Sequence, residues 1–122
     1  MDNQIQFFPP GSSPVPPQEV EIEQIEIGVY PDRFRVFVHV VVTPFQQRPN
    51  LVITTHNAQG AIVAELNIIE TMHHDMEFTL HLRSREYDPA GEYTLDVELF
   101  YETRSPPQSK RIETFMIPEA GG

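Results

Sequence analysis

Strict alternation over long stretches is the feature that most narrows the folds open to this chain. Tyr93, Leu95, Val97, Leu99 and Tyr101 fall on one side of an extended segment. Glu92, Thr94, Asp96, Glu98 and Glu102 fall on the other, with Phe100 the exception. Successive side chains of a β-strand point to opposite faces, so a period of two describes a strand with one face in a core and the other in water. The same period returns at Phe34, Val36, Val38, Val40 and Val42, and again at Met76, Phe78, Leu80 and Leu82. No stretch carries a helical period.

Turn chemistry separates these runs. Tyr30-Pro31-Asp32, Pro44 to Asn50, Asn57-Ala58-Gln59-Gly60, Met72-His73-His74-Asp75 and Asp88-Pro89-Ala90-Gly91 hold the Pro, Gly, Asn and Asp that fix or free φ. Four further strands fit between them: Val20 to Val29, Leu51 to His56, Ala61 to Thr71 and Arg111 to Ile117. In the first, the apolar phase slips between Ile22 and Ile25, which predicts a bulge near Glu23-Gln24. Seven strands about a dozen residues apart predict an all-β antiparallel sandwich. A small barrel is the alternative. Barrels use Gly kinks within strands, and Gly28 is the sole candidate.

The stretch Asp88-x-x-Gly91-x-Tyr93-x-Leu95 resembles the corner before the sixth strand of immunoglobulin-like and fibronectin type III-like domains. Phe78-Thr79-Leu80-His81-Leu82 resembles the preceding strand of the same fold. The resemblance covers roughly residues 20 to 117 and implies a seven-strand immunoglobulin-like β-sandwich. It also implies that the Tyr93 hydroxyl bonds back to the backbone between Glu86 and Ala90. Where immunoglobulin domains proper carry a Cys two residues after that Tyr, this chain has Leu95. The fold hosts many functions and implies none of them.

At 122 residues the chain suits one domain, which we expect at 19-118, behind a Pro-rich extended or disordered leader at 1-18 and before a polar tail at 119-122. Pro14 to Pro17 is a formal PxxP without a basic anchor, so a linker is the plainer reading; Gln4 to Phe8 is the leader's alternative as a short edge strand. The absence of Cys excludes a disulfide framework and a thiolate metal site. It also favours a reducing compartment, and Met1-Asp2-Asn3-Gln4 has no basic signal-peptide start, so the expected location is cytoplasmic. No run of apolar residues is long enough for a membrane helix. Eighteen acidic against 8 basic residues give a net charge of −10. The cations are scattered, which argues against nucleic acid as a partner.

Candidate chemistry is thin. Of the five His, His73 and His74 are adjacent in a turn with Asp75, a poor chelating geometry on a strand. His39 and His81 lie on outward faces of the second and fifth strands, which should pair and could place the two rings side by side. Asp96 and Glu98 share one strand face, but an outward face supplies solvent rather than the apolar pocket a general acid needs. No nucleophile elbow, phosphate loop or complete metal set is present, so neither an enzyme nor a cofactor is expected.

What remains is surface. In the expected arrangement the second, fourth and fifth strands share a sheet, and its outer face carries Phe37, Val41, Val63 and Ile69. A contiguous apolar face marks an interface. The expectation is a non-enzymatic protein-binding or assembly module, its partner another protein or a second copy in a homodimer. The alternative is a carbohydrate-binding sandwich module. Such modules present aromatics on one face, and here Trp is absent and the four Tyr are dispersed. A small hydrolytic or metal-dependent enzyme is the third reading.

Overall fold

The computed structural model describes residues 13–83 and 88–121. Seven strands follow in chain order: β1 (Ile22–Val29), β2 (Arg35–Val42), β3 (Asn50–His56), β4 (Ile62–Ile68), β5 (Asp75–His81), β6 (Gly91–Phe100) and β7 (Ser109–Ile117). They form two antiparallel sheets, β1-β2-β5 and β4-β3-β6-β7. Among the described residues the only helical element is one 3-10 turn, Pro17–Glu19.

The inner faces follow the alternation. Val36, Val38, Val40 and Val42 of β2 are buried against Leu51, Ile53, Leu95, Val97 and Leu99 of the opposite sheet. Leu80, Tyr93 and Ile117 join the same core. The slip in β1 is a register shift between Ile22 and Gln24, as its phase predicts. Ile22 is itself buried in the core, and its N–H donates to Ser109 Oγ at 3.0 Å. The extra residue then lets Ile25 and Ile27 face the core alongside β2.

The corner before β6 also forms. Gly91 has φ +140, a backbone state that favours glycine. Tyr93 is buried, donates its hydroxyl to Pro89 O at 2.6 Å and stacks on Phe115 with ring centroids 5.4 Å apart. Asp88 accepts from Ala90 N–H and from Arg33 Nη1, whose other contact is Pro118 O. These bonds lower the Asp88 pKa, the Ala90 N–H most and then Arg33.

One expectation about topology fails. β4 does not share a sheet with β2 and β5; it pairs with β3. In constant-type immunoglobulin domains the fourth strand crosses to the first sheet. Here the β3–β4 connection is too tight for that crossing. Asn57 Oδ1 accepts from the N–H groups of Gln59 and Ala61, Asn57 N–H donates to Ala61 O, and Gly60 takes φ +85. A hairpin closed this way delivers the next strand beside the last one.

Of the Pro-rich leader, the described part from Ser13 lies along the sandwich. Val15 forms an isolated parallel bridge to Phe45, and Gln108 Nε2 donates to Pro17 O and Val20 O. The short-strand expectation for Gln4 to Phe8 lies outside the described residues.

Candidate functional site

With β4 on the four-stranded sheet, the expected face of Phe37, Val41, Val63 and Ile69 divides. Phe37 and Val41 are half-buried on the outside of the three-stranded sheet. Val63 is 5% exposed and belongs to the core. A register shift where His56 meets Ile62 puts an extra residue into β4, so Val63 and Ala64 both turn inward. Ile69, just beyond β4, is 79% exposed. The molecule therefore has two distinct outer faces.

The three-stranded face is built around His39. Its cross-strand neighbours are Glu26 on β1 and Glu77 on β5, one step from Asp75. Nδ1 lies 2.7 Å from Glu26 Oε1 and Nε2 lies 2.7 Å from Asp75 Oδ1. With a carboxylate at each nitrogen, the imidazolium is the form that satisfies both as a donor. Glu26 first, then Asp75, raise the His39 pKa above its ordinary 6.5. The ring thus ties all three strands together. His39 and His81 do not meet: the register sets His81 opposite Arg35 and His39 opposite Glu77, the plainer reading of two separate imidazoles beside Arg and Glu.

Beyond His39 the same face carries aromatics. Phe37 lies opposite Gly28, and a Cβ on Gly28 would meet the Phe37 side chain at 3.9 Å, ordinary contact. The Arg35 guanidinium sits 4.4 Å above the Tyr30 ring, a cation–π distance. Arg35 Nε also donates to Asp32 Oδ2 at 2.7 Å. That bond, followed by the Phe34 N–H, lowers the Asp32 pKa. Tyr30 Oη lies 3.3 Å from Thr79 Oγ1.

The four-stranded face is different. Its centre is closed: Val52 and Thr54 on β3 are buried even on this outer side. Asp96 and Glu98, the paired carboxylates of β6, are ion-paired. Arg104 Nε donates to Glu98 at 2.7 Å, and Lys110 Nζ lies 3.9 Å from both carboxylates. They are a charge-balanced surface row rather than an acid–base couple. Its flanks are apolar and open. Ile62 on β4 is 58% exposed, and Ile112 and Met116 on β7 are 56% and 62% exposed. With Ile69, they account for four of the six large apolar side chains most exposed among the described residues. An open groove between Val52, Asn67, Ile69 and Phe100 continues the β4 flank.

Sequence reasoning missed Ile112 and Met116. The signal was present, since Ile112, Thr114 and Met116 alternate with Arg111, Glu113 and Phe115, but both phases of β7 mix apolar and polar residues. No group of three or more His, Asp or Glu able to hold a metal occurs among the described residues. No described helix is long and apolar enough to cross a membrane.

No protein-family model matches this chain, and no curated protein matches it by sequence. Solved structures do resemble it. The β-glucuronidase of Bifidobacterium dentium superposes with TM-score 0.59 at 19% identity, over 83% of this chain and 18% of that one. The Parabacteroides merdae β-glucuronidase gives TM-score 0.55 at 14% identity, over 80% and 14%. A glycosyl hydrolase family 2 member from Bacteroides cellulosilyticus gives 0.54 at 13% identity, over 80% and 15%. This chain thus spans a small part of each of those enzymes. At these identities the likeness is one of fold: a two-sheet antiparallel β-sandwich with seven strands.

Proposed function

We propose that the protein is a non-enzymatic protein-binding or assembly module whose contact surface is the four-stranded sheet. One observation carries the reading: four of the six most exposed large apolar side chains among the described residues lie on the two flanking strands of that sheet, Ile62 and Ile69 at β4, Ile112 and Met116 on β7, with Phe34 and Met72 elsewhere. Scattered exposed apolars need no explanation, but a majority gathered on the flanks of one sheet supports reading it as an interaction surface. The three-stranded face meets its polar needs internally, through His39, Tyr30 and Arg35.

The test uses immobilised protein and an extract of the cells that make it. The double variant Ile69→Glu/Ile112→Glu should lose the proteins that the parent chain and a Phe37→Ser variant both retain. Equal retention by all three would overturn the reading.

A second reading has its own support. The structural neighbours are glycoside hydrolases, and the three-stranded face combines Tyr30 and Phe37 with Glu26, Asp75 and His39, a mix of stacking surface and hydrogen-bonding groups suited to sugar. On that reading the chain is a carbohydrate-binding accessory module. A glycan-array signal abolished by Phe37→Ser and kept by the Ile69/Ile112 variant would favour it.

A further inference from the structure

We propose that the chain pairs with a second copy of itself along the free edge of β7, antiparallel, with a two-fold axis at Thr114. The inference rests on the four-stranded sheet being the contact surface, and it names the occupant of one flank.

Four strands end the two sheets: β1 and β5 in one, β4 and β7 in the other. Each presents backbone N–H and C=O groups to whatever lies beyond it, and native proteins blunt such edges. Three of the four are blunted. β4 is capped by the chain leaving β5, where Arg83 N–H donates to Val63 O at 2.7 Å. β1 carries Glu23 and Glu26 and β5 carries Asp75 and Glu77, without a Lys or Arg, and the single His39 charge between Glu26 and Asp75 leaves both edges acidic. In a chain of net charge −10, a second copy approaching either strand meets its own sign. β7 instead carries Lys110 and Arg111 against Glu113, a net of +1 from its three Lys, Arg, Asp and Glu residues. Lys110 is already paired with Asp96 and Glu98, and with the axis at Thr114 the other charges meet no like charge, since Glu113 falls opposite Phe115 and Arg111 opposite Ile117 of the second copy.

The open part of β7 is also defined. At its start, Arg111 Nη1 reaches the carbonyls of Ile22 and Glu23 at 3.4 and 3.3 Å, so β1 covers that end. At its finish, Pro118 has no N–H with which to continue a ladder. Between them lies Ile112 to Met116, laddered to β6 alone.

This segment is self-complementary. With a two-fold axis at Thr114, Thr114 faces Thr114 of the second copy and Ile112 faces Met116 in both directions. Each exposed apolar side chain then gains an apolar cross-strand neighbour on the same face, the pairing that stabilises sheets. Moving the axis to residue 113 or 115 would break this match, because Ile112 would then face Glu113's neighbour Thr114 or Pro118. The contact is isologous and closes at two chains. The product is one continuous eight-stranded sheet with a three-stranded sheet behind each half.

The absence of Cys supplies a clean test. Thr114→Cys places one thiol per chain on the axis, where opposite Cβ atoms lie about 5 Å apart, close to disulfide reach. Ile69→Cys, exposed on the opposite flank, is the control. Under mild oxidant, Thr114→Cys should cross-link roughly a hundredfold faster than the control, because paired strands hold their thiols at millimolar effective concentration. Adding Ile112→Lys to Thr114→Cys should return the rate to the control level. Light scattering of the parent chain at roughly millimolar concentration, suited to a small interface, should give twice the 14.0 kDa chain mass, increasingly so with added salt as like-charge repulsion is screened. A monomer with equal, slow cross-linking of both variants would overturn the proposal and leave the sheet free to bind another protein. A dimer whose Thr114→Cys variant links no faster than the control, or slower than Ile112→Cys, would overturn the β7 register while keeping self-association.

Discussion

The two outer faces solve the same problem in opposite ways. The three-stranded sheet is narrow, and its face is tied across all three strands by His39 between Glu26 and Asp75. Its apolar members, Phe37 and Val41, are half-buried beneath neighbours. The four-stranded sheet is wider and seals its centre with Val52, Thr54 and the Lys110–Asp96–Glu98–Arg104 row. Its flanks remain apolar and open. A face whose polar groups already have partners gains little from a second molecule, whereas an open strand edge beside exposed Ile and Met gains hydrogen bonds and apolar burial together. Placing function on a sandwich therefore depends on which edges are finished, more than on which residues are apolar.

The largest expected effect lies between the sheets and should leave the contrast between faces unchanged. Leu95→Ala removes a fully buried side chain and should destabilise by about 2–5 kcal/mol in urea unfolding. A loss below about 0.5 kcal/mol would mean that β6 presents its other face to the core, inverting both outer faces. Tyr93→Phe deletes the bond to Pro89 O and should cost about 1 kcal/mol with an unchanged urea slope. An unaltered midpoint would show that the corner does not depend on that hydroxyl.

Smaller still is the effect of His39→Gln, which sharpens the comparison through pH. The folded-state pKa of His39 lies above its ordinary 6.5. Its stabilisation is therefore fully present below 6.5 and is lost as pH rises through the raised folded value. The stability gap between parent and variant should be widest on the acid side of neutrality and close above it. Both carboxylates are well exposed, so added salt should also shrink it. A gap that widens with rising pH would contradict the ionised latch. Smallest of all, Ile112→Lys should change stability by less than about 0.5 kcal/mol, since the side chain is already exposed, while reducing association.

Much of the fold was legible in the residues because the period of two is strict. β2, β5 and β6 show it cleanly, the bulge in β1 announces itself as a phase slip, and Asp88, Gly91 and Tyr93 mark the corner. The sheet to which β4 belongs was not legible from its own residues. Ile62 to Ile69 alternate equally well in either sheet, and the decision lies in the closed Asn57–Gly60 turn. The extra residue at Val63 was not legible either, and it turned a side chain expected on the surface into the core. The expected Phe37, Val41, Val63 and Ile69 patch was therefore split across a core and two faces. The His39 latch was hidden for a related reason: Glu26, His39 and Asp75 are distant in sequence, and only the register of β1, β2 and β5 brings them together.

Concentration-dependent hydrogen–deuterium exchange tests the central claim most directly, because it reads both edges in one experiment. If the four-stranded sheet makes its contact through β7, amides within Ile112 to Met116 should become more protected as chain concentration rises, while those of β5, at the edge of the tied sheet, stay constant. Protection that rises along β5 and not along β7 would contradict it.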